Sequence, residues 1–346
     1  MAVLPAYGSS SPAPACAGSD VGEMTARRFA QDFASASPCL PFLTVPDVVH
    51  MGLNKLDPRH WVLPCRTLPH YQQNKIAARH AMGDRVYAQL PASLPIQREL
   101  ATQLYQHLIY DHTNYLCAAD SVLRWCAAGS ELRWPGLAPQ LASAEPLWGA
   151  SCWVADDICL LQPGQHGYTL VAASLAAPSY WRLEEKIGRP LDQIHGPVPG
   201  FQQKLSARVA RFFDHLKPEF PVWRSNWSVV DSPQLLQRAG EVTDSKSACM
   251  GQPRRLYLRI ERQTLRRLPA TGAVVFTIRV TINPLEDLLL ISGGVAALRD
   301  AVLRMSPEET RYKSLAPLLA EEGGPLRRFF TEHGYSINAG DRTGLP

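Results

Sequence analysis

The sequence of 346 residues lacks most of the signatures that assign a chain to a chemistry at sight. Its eight cysteines, Cys16, Cys39, Cys65, Cys117, Cys126, Cys152, Cys159 and Cys249, form no CxxC pair. Zinc ribbons, thioredoxin-like motifs and ferredoxin-type iron–sulfur ligation are therefore without support. Scattered thiols in a chain of this length suit a reducing compartment, where most serve as small buried hydrophobes. No GxGxxG, Walker A, GxSxG or HExxH phrase occurs, so redox chemistry here would need electrons from another protein. No stretch of about 18 uninterrupted apolar residues is present, which excludes a membrane-spanning helix. Residues 1–20 have neither the basic start nor the apolar run of a signal peptide, so a cytoplasmic location is expected. Charge of one sign is also scarce: 35 basic against 31 acidic residues give +4, too little to point to nucleic acid or a membrane surface.

What remains is the balance of a globular protein, 46% hydrophobic and 19% charged, able to bury a sizeable core without disulfides. The Ala-, Ser-, Pro- and Gly-rich segment 1–36 is expected to be a disordered extension, 37–335 a single domain, and 336–346 a flexible tail. Tyr71–Tyr87 and Pro95–Leu116 read as helices, the second from Leu100, Leu104, His107 and Leu108 at helical spacing. Trp148–Leu161 and Tyr168–Leu175 read as strands, with a helix expected at Val198–Leu216. Val222–Val230, Arg255–Leu265 and Ala273–Ile282 read as further strands. The last two meet at Pro269-Ala270-Thr271-Gly272, where Gly supplies the positive φ of a hairpin turn. Leu285–Leu303 and Pro325–His333 read as helices, and Ser306-Pro307-Glu308-Glu309 is a capping-box start between them. Helices, then about five antiparallel strands, then helices indicate an α+β fold.

Three patches could carry chemistry. In Ala177–Phe201, His195 follows apolar Ile194 and precedes the stiff Gly196-Pro197-Val198-Pro199 turn, which can aim an imidazole into a pocket. A haem iron takes one such proximal histidine, with Lys186 and Arg189 nearby for propionates. Spacing alone leaves the commoner alternative standing, an ordinary loop histidine beside solvated cations. In Val222–Trp227, strand alternation puts Trp223 and Trp227 on one face and Arg224 and Asn226 on the other, which is solvent or a cavity wall. In Leu256–Gln263, Leu256, Leu258 and Ile260 share the core face, opposite Tyr257, Arg259, Glu261 and Gln263. An Arg/Glu pair there can be purely structural, worth about 0.2–1 kcal/mol. The basic run Arg254–Arg267 reads as a strand with one cationic face.

The phrases PSYWRLEEKIGRPLDQIHGPVPGF, WRSNWSVVD and LYLRIERQTLRRLPATGAVVFTIRV, in this order, resemble the haem-dependent oxidative N-demethylase family, the haem-binding α-subunits of dimethylamine-type monooxygenases. The earlier MGLNKLDPRHW extends the resemblance over roughly residues 41–320. The resemblance implies a PAS-like antiparallel sheet flanked by helices and holding haem b. It implies oxidation of an N-methyl group of a small secondary or tertiary amine by O2, with release of formaldehyde. NADPH, FMN and an iron–sulfur cluster would then sit on partner reductase subunits. His195, in an IHxPVP-like phrase, becomes the axial ligand, with Lys186, Arg189 and Arg224 toward the haem; His166, in the loop before Tyr168, is the nearest rival. Glu261 becomes the carboxylate for the amine, Arg224 a partner for propionate or bound oxygen, and Tyr168 part of the wall. A haem-based gas or amine sensor without turnover is the competing reading.

Overall fold

The computed structural model describes residues 40–44, 51–117, 122–127, 129–165, 167–196, 198–199, 205–238 and 255–337. The expected extension over 1–36, His166 and Pro197 lie outside these residues. Helix α1 (Pro41–Thr44) and strand β1 (Asn54–Lys55) open the described chain. Helix α2 (Leu68–Met82) buries Leu68, Tyr71, Lys75 and Ala78, three or four residues apart, and stops at Gly83, whose φ is +54°. The expected helix at Tyr71–Tyr87 therefore ends earlier, and Tyr87 opens strand β2 (Tyr87–Gln89).

Helix α3 (Leu94–Asp111) buries Leu100, Leu104, His107 and Leu108 as the spacing predicts. It ends before Leu116 because His112 turns to extended backbone and Tyr115 pairs with Trp125. Strands β3 (Tyr115–Cys117), β4 (Val122–Ala127) and β5 (Ser130–Pro135) form a small sheet that the sequence reading did not contain. Helix α4 (Leu137–Ala142) follows. The expected strand from Trp148 is corrected in its first half: Pro146 starts helix α5 (Pro146–Ser151), and strand β6 runs over Asp157–Gly164.

Strand β7 (Gly167–Ser174), the short helix α6 (Leu191–Ile194) and helix α7 (Ser206–His215) come next. Strand β8 (Val222–Val230) has the predicted bounds, and β9 (Tyr257–Arg267) pairs with β10 (Val274–Pro284) across the predicted turn. Gly272 there has φ +69°. The backbone N–H groups of Ala270 and Thr271 donate to the Glu99 carboxylate at 2.6 and 2.8 Å, which ties the hairpin tip to α3. The expected helix Leu285–Leu303 is split into a 3-10 turn at Leu285–Leu290 and helix α8 (Gly294–Arg304), with left-handed Gly293 between them. Helices α9 (Pro307–Tyr312) and α10 (Pro325–Glu332) complete the described fold, α9 with the predicted capping box of Ser306 and Glu309.

The large sheet has seven antiparallel strands in the order β1-β8-β9-β10-β6-β7-β2. The molecule is α+β, a large antiparallel sheet flanked by helices. Register sorts its side chains onto two faces, because residues opposite each other in a ladder point the same way. Leu258, Ile260, Arg262 and Thr264 of β9 share a face with Trp227 of β8 and with Thr277, Arg279 and Thr281 of β10. This helix face is closed. Phe42 of α1 meets Trp227 edge-on at 5.3 Å, and Leu258 and Ile260 pack with Leu298 and Phe330 of α8 and α10. Full burial of each such side chain stabilises by about 1.5–3 kcal/mol. Tyr71 of α2 sits under the Arg279 guanidinium at 5.1 Å. The basic residues of β9 do not form one cationic face. Arg262 and Arg266 lie on the helix face, Arg259 and Arg267 on the other.

Candidate functional site on the open face of the sheet

The second face carries Val222, Arg224 and Asn226 of β8 opposite Leu265, Gln263 and Glu261 of β9, and these in turn opposite Phe276, Ile278 and Val280 of β10. At its ends this face is covered. Arg259, Leu265, Val274 and Val280 are buried. Between them Arg224, Asn226, Glu261, Gln263, Phe276 and Ile278 are only half-buried. Central strands of a sheet ordinarily have covered side chains, so this half-open patch is the part of the face that could serve as the floor of a site. Its composition is mixed, two apolar side chains beside a guanidinium, a carboxylate and two amides. That is the make-up of a ligand site, apolar surface with a few placed polar groups.

The segment above the floor is pinned by the sheet itself. Strand β6 supplies Asp157, whose carboxylate accepts the N–H groups of Ala176 and Ala177 at 3.0 and 2.8 Å and bends the chain leaving β7. The chain then forms a 3-10 turn at Leu183–Glu185, after which Gly188 N–H donates to Leu170 O at 2.8 Å and Leu170 N–H donates to Arg189 O at 3.1 Å, tying the segment to β7. Leu183 and Ile194 are buried in one cluster with Cys159, Leu161, Leu265 and Val274 of the open face. Ile194 thus fixes α6 onto this face, and His195 follows as its C-terminal residue.

His195 Nδ1 lies 2.9 Å from the Leu191 carbonyl. Only a protonated Nδ1 can bond there, which leaves the lone pair on Nε2, the tautomer a metal requires. Burial pushes His195 below its ordinary pKa, and the charges of Arg224 and Lys186 push the same way, so the neutral ring is favoured. His195 on the segment thus feels the charge of Arg224 on the floor and of Lys186 on the segment itself. Arg224 is itself lowered by burial, with Glu261 and Tyr312 opposing. Its buried Nε has no acceptor among the described residues.

Glu261 is differently placed. Its Oε1 accepts from Arg259 Nε at 3.2 Å, and its Oε2 from Gln263 Nε2 at 3.0 Å and Asn226 Nδ2 at 3.4 Å. Arg259 also donates to the carbonyls of Ala177 and Leu235, which holds that cation fully buried. The same-face Arg/Glu pair foreseen from strand parity is present, and the carboxylate faces the floor already partly neutralised.

His195 lies within the field of Lys186 and Arg224, and Arg224 within that of Glu261, while two of the sequence candidates lie elsewhere. Tyr168 is buried against Phe213, donates to the Phe213 carbonyl at 3.1 Å and accepts from Arg267 at 2.6 Å. It braces the end of the face beside Arg267. Arg189 is exposed at the edge beside β7. Sequence reasoning missed Lys313. Its Nζ reaches Asn226 Oδ1 at 3.0 Å across 87 positions of sequence, and only the capping box that starts α9 hinted that this helix is firmly placed.

A family model matches residues 52–320, and its description is haem-dependent oxidative N-demethylase, alpha subunit-like. The chain belongs to this family. The match spans all seven strands of the large sheet and includes His195, Arg224, Glu261 and Lys313. The N-demethylase family name implies a haem, and the residues on the open face fit one. A neutral imidazole with its tautomer set suits the single axial position. The unpartnered Nε of Arg224 suits a propionate, and half-buried Phe276 and Ile278 suit the flat of a macrocycle. Among the described residues no helix is long and apolar enough to cross a membrane.

Proposed function

We propose that this chain is the haem-binding subunit of a monooxygenase that removes an N-methyl group from a small secondary or tertiary amine such as dimethylamine. The observation that carries the reading is the half-open floor of Arg224, Glu261, Phe276 and Ile278 beneath a tautomer-fixed His195. In this reading the domain over 37–335 is PAS-like, and 336–346 is a tail outside it. His195 would bind the iron of haem b, and Arg224 and Lys186 would meet its propionates, while Arg189, exposed at the edge beside β7, lies away from them. Haem, once bound, supplies the O2-dependent oxidation that converts the N-methyl group into formaldehyde and the demethylated amine.

The protein's own residues bind and orient the amine. Glu261 has three donors and so retains acceptor capacity for one more N–H. Because Arg259 shares its charge, Glu261 grips an ammonium less firmly than a lone carboxylate would. That favours the neutral amine, whose nitrogen lone pair is available for oxidation. An amine that arrives as its ammonium would pass its proton to Glu261 and remain bound as the neutral form. Phe276 and Ile278 give the methyl groups an apolar wall and exclude water there. Tyr168 keeps the wall in shape from a distance.

Electrons come from NADPH through separate reductase subunits carrying FMN and an iron–sulfur cluster. The test is a reconstitution of the haem-loaded chain with such a reductase, NADPH, O2 and dimethylamine. Formaldehyde should appear in step with NADPH consumed, and the chain without reductase should consume none. An amine-dependent spectrum without formaldehyde would make the protein a sensor.

A further inference from the structure

The C-terminal end of α9 reaches the open face. Lys313 caps this helix, and its ammonium donates to Asn226 Oδ1 at 3.0 Å and to the Trp227 carbonyl, with its Nζ 5.0 Å from the centre of the Trp227 ring. Both partners belong to β8. We propose that Lys313 is a positioning residue of the site, holding Asn226 and through it Glu261 in the orientation that meets the amine. The proposal rests on the N-demethylase reading above.

A primary amide can present either its oxygen or its NH2 to a carboxylate, and the surroundings choose. A cation on one side settles the choice. Lys313 claims the oxygen, so Nδ2 turns to Glu261 Oε2 at 3.4 Å. Gln263 approaches the same oxygen and Arg259 the other, so the carboxylate is fixed from three sides. Removing Lys313 frees the amide to rotate and leaves Glu261 with one donor fewer. The ammonium is desolvated in this position: burial and the Arg224 charge bring Lys313 down to about 8, against the opposing pull of Glu261 and Glu309.

The helix is built to deliver this side chain. Ser306 Oγ accepts from Glu309 N–H while Glu309 accepts from Ser306 N–H, which fixes the start of α9. At its end Ser314 N–H donates to Arg311 O and Leu315 N–H to Thr310 O, a Schellman pattern with Ser314 at φ +58°. A residue with a β-carbon is disfavoured in the left-handed region. Here it lies directly after Lys313, where the turn must end the helix with the ammonium on β8. The charges of Glu261 and Arg224 act in opposite senses on half-exposed Tyr312 beside it, so this end of α9 shares the floor's field.

The experiment is a dimethylamine titration of the full haem-loaded chain, followed by the Soret band, for Lys313→Met, Lys313→Arg, Asn226→Ala and the Lys313→Met/Asn226→Ala double variant. Haem content should stay at the wild-type level. Lys313→Met should weaken dimethylamine binding about tenfold, the scale of one charge-assisted hydrogen bond. Lys313→Arg should regain part of that, and the double variant should bind no more weakly than Lys313→Met. Wild-type affinity in Lys313→Met, or penalties that multiply in the double variant, would overturn the proposal. Should Lys313→Met fail to fold, Asn226→Ala decides: the same loss supports the proposal, and unchanged affinity rejects it. A wild-type chain that takes no haem, or gives no response to dimethylamine, defeats the N-demethylase reading itself. That outcome is separate from variants matching a responsive wild type.

Discussion

The two faces of the large sheet both carry cations, and they treat them differently. On the helix face, Arg262 donates to the carbonyls of His60 and Trp61, and Arg279 donates to Leu63 O beside Asp156. Lys75 from α2 reaches the carbonyls of Ser151, Val154 and Asp156. Each of these side chains is buried and committed to holding a loop in place. Arg259 on the open face is committed in the same way. Arg224 on that face is not: its buried Nε meets no acceptor among the described residues. A buried cation by itself therefore marks nothing. A buried guanidinium that holds no carbonyl among the described residues, unlike those of Arg262 and Arg279, marks the place where a ligand is expected to supply an acceptor.

Substituting one cation from each face separates the structural cations from the unsatisfied one. Lys75→Met should destabilise the protein by about 3 kcal/mol, because three buried carbonyls lose their donor. Urea unfolding measures this. If the loss is negligible, the helix-face cations are not structural. A second, pH-dependent effect of similar size belongs to the helix-face side. Burial and neighbouring His107 hold His112 down to about 4, from an ordinary 6.5. The unfolded chain then takes up a proton between those values that the folded chain refuses. Stability should fall as pH drops through 6.5 toward 4, by about 3 kcal/mol in full. His107 is lowered as well, chiefly by burial, and adds with the same sign. Unfolding midpoints at pH 7 and pH 4.5 for the wild type and His112→Asn give the measurement, and the variant should show the flatter profile. The smallest effect on stability is expected at Arg224. Arg224→Leu should shift unfolding by no more than about 1 kcal/mol, in either direction, since no protein hydrogen bond of Nε is lost. Its haem retention should nonetheless fall. Destabilisation equal to that of Lys75→Met would erase the distinction between the faces.

The strands that build the floor were legible in the sequence because their signals are local. Val222–Val230 alternates cleanly, and Pro269–Gly272 contains the turn chemistry that its hairpin needs. The side of the sheet on which Glu261 and Arg224 lie followed from the same alternation. The small sheet was not legible. Val122–Ala127 and Ser130–Pro135 each bury few side chains, and Tyr115–Cys117 continues a helical pattern until pairing with β4 overrides it. The start of α5 was missed because the apolar run around Trp148 suits a strand, although Pro146 at a first helical turn argued against one. At the site, His195, Lys186, Arg224 and Glu261 are linked through their fields, whereas Tyr168 and Arg189 resemble pocket residues only in one dimension. Lys313 illustrates the converse limit. No periodicity links it to Asn226, and only the packing of α9 against the edge of β8 brings them together.

The proposed N-demethylase site requires a haem held on the open face through His195. Titration of haem into the purified chain and into His195→Ala, followed by visible absorption, tests it most directly. The account predicts one haem per wild-type chain, with a Soret band that shifts on adding dimethylamine. In the variant it predicts loss of stable haem or an altered ligand field, with little change in the unfolding midpoint. A variant that binds haem with the wild-type stoichiometry and an unaltered spectrum would contradict it.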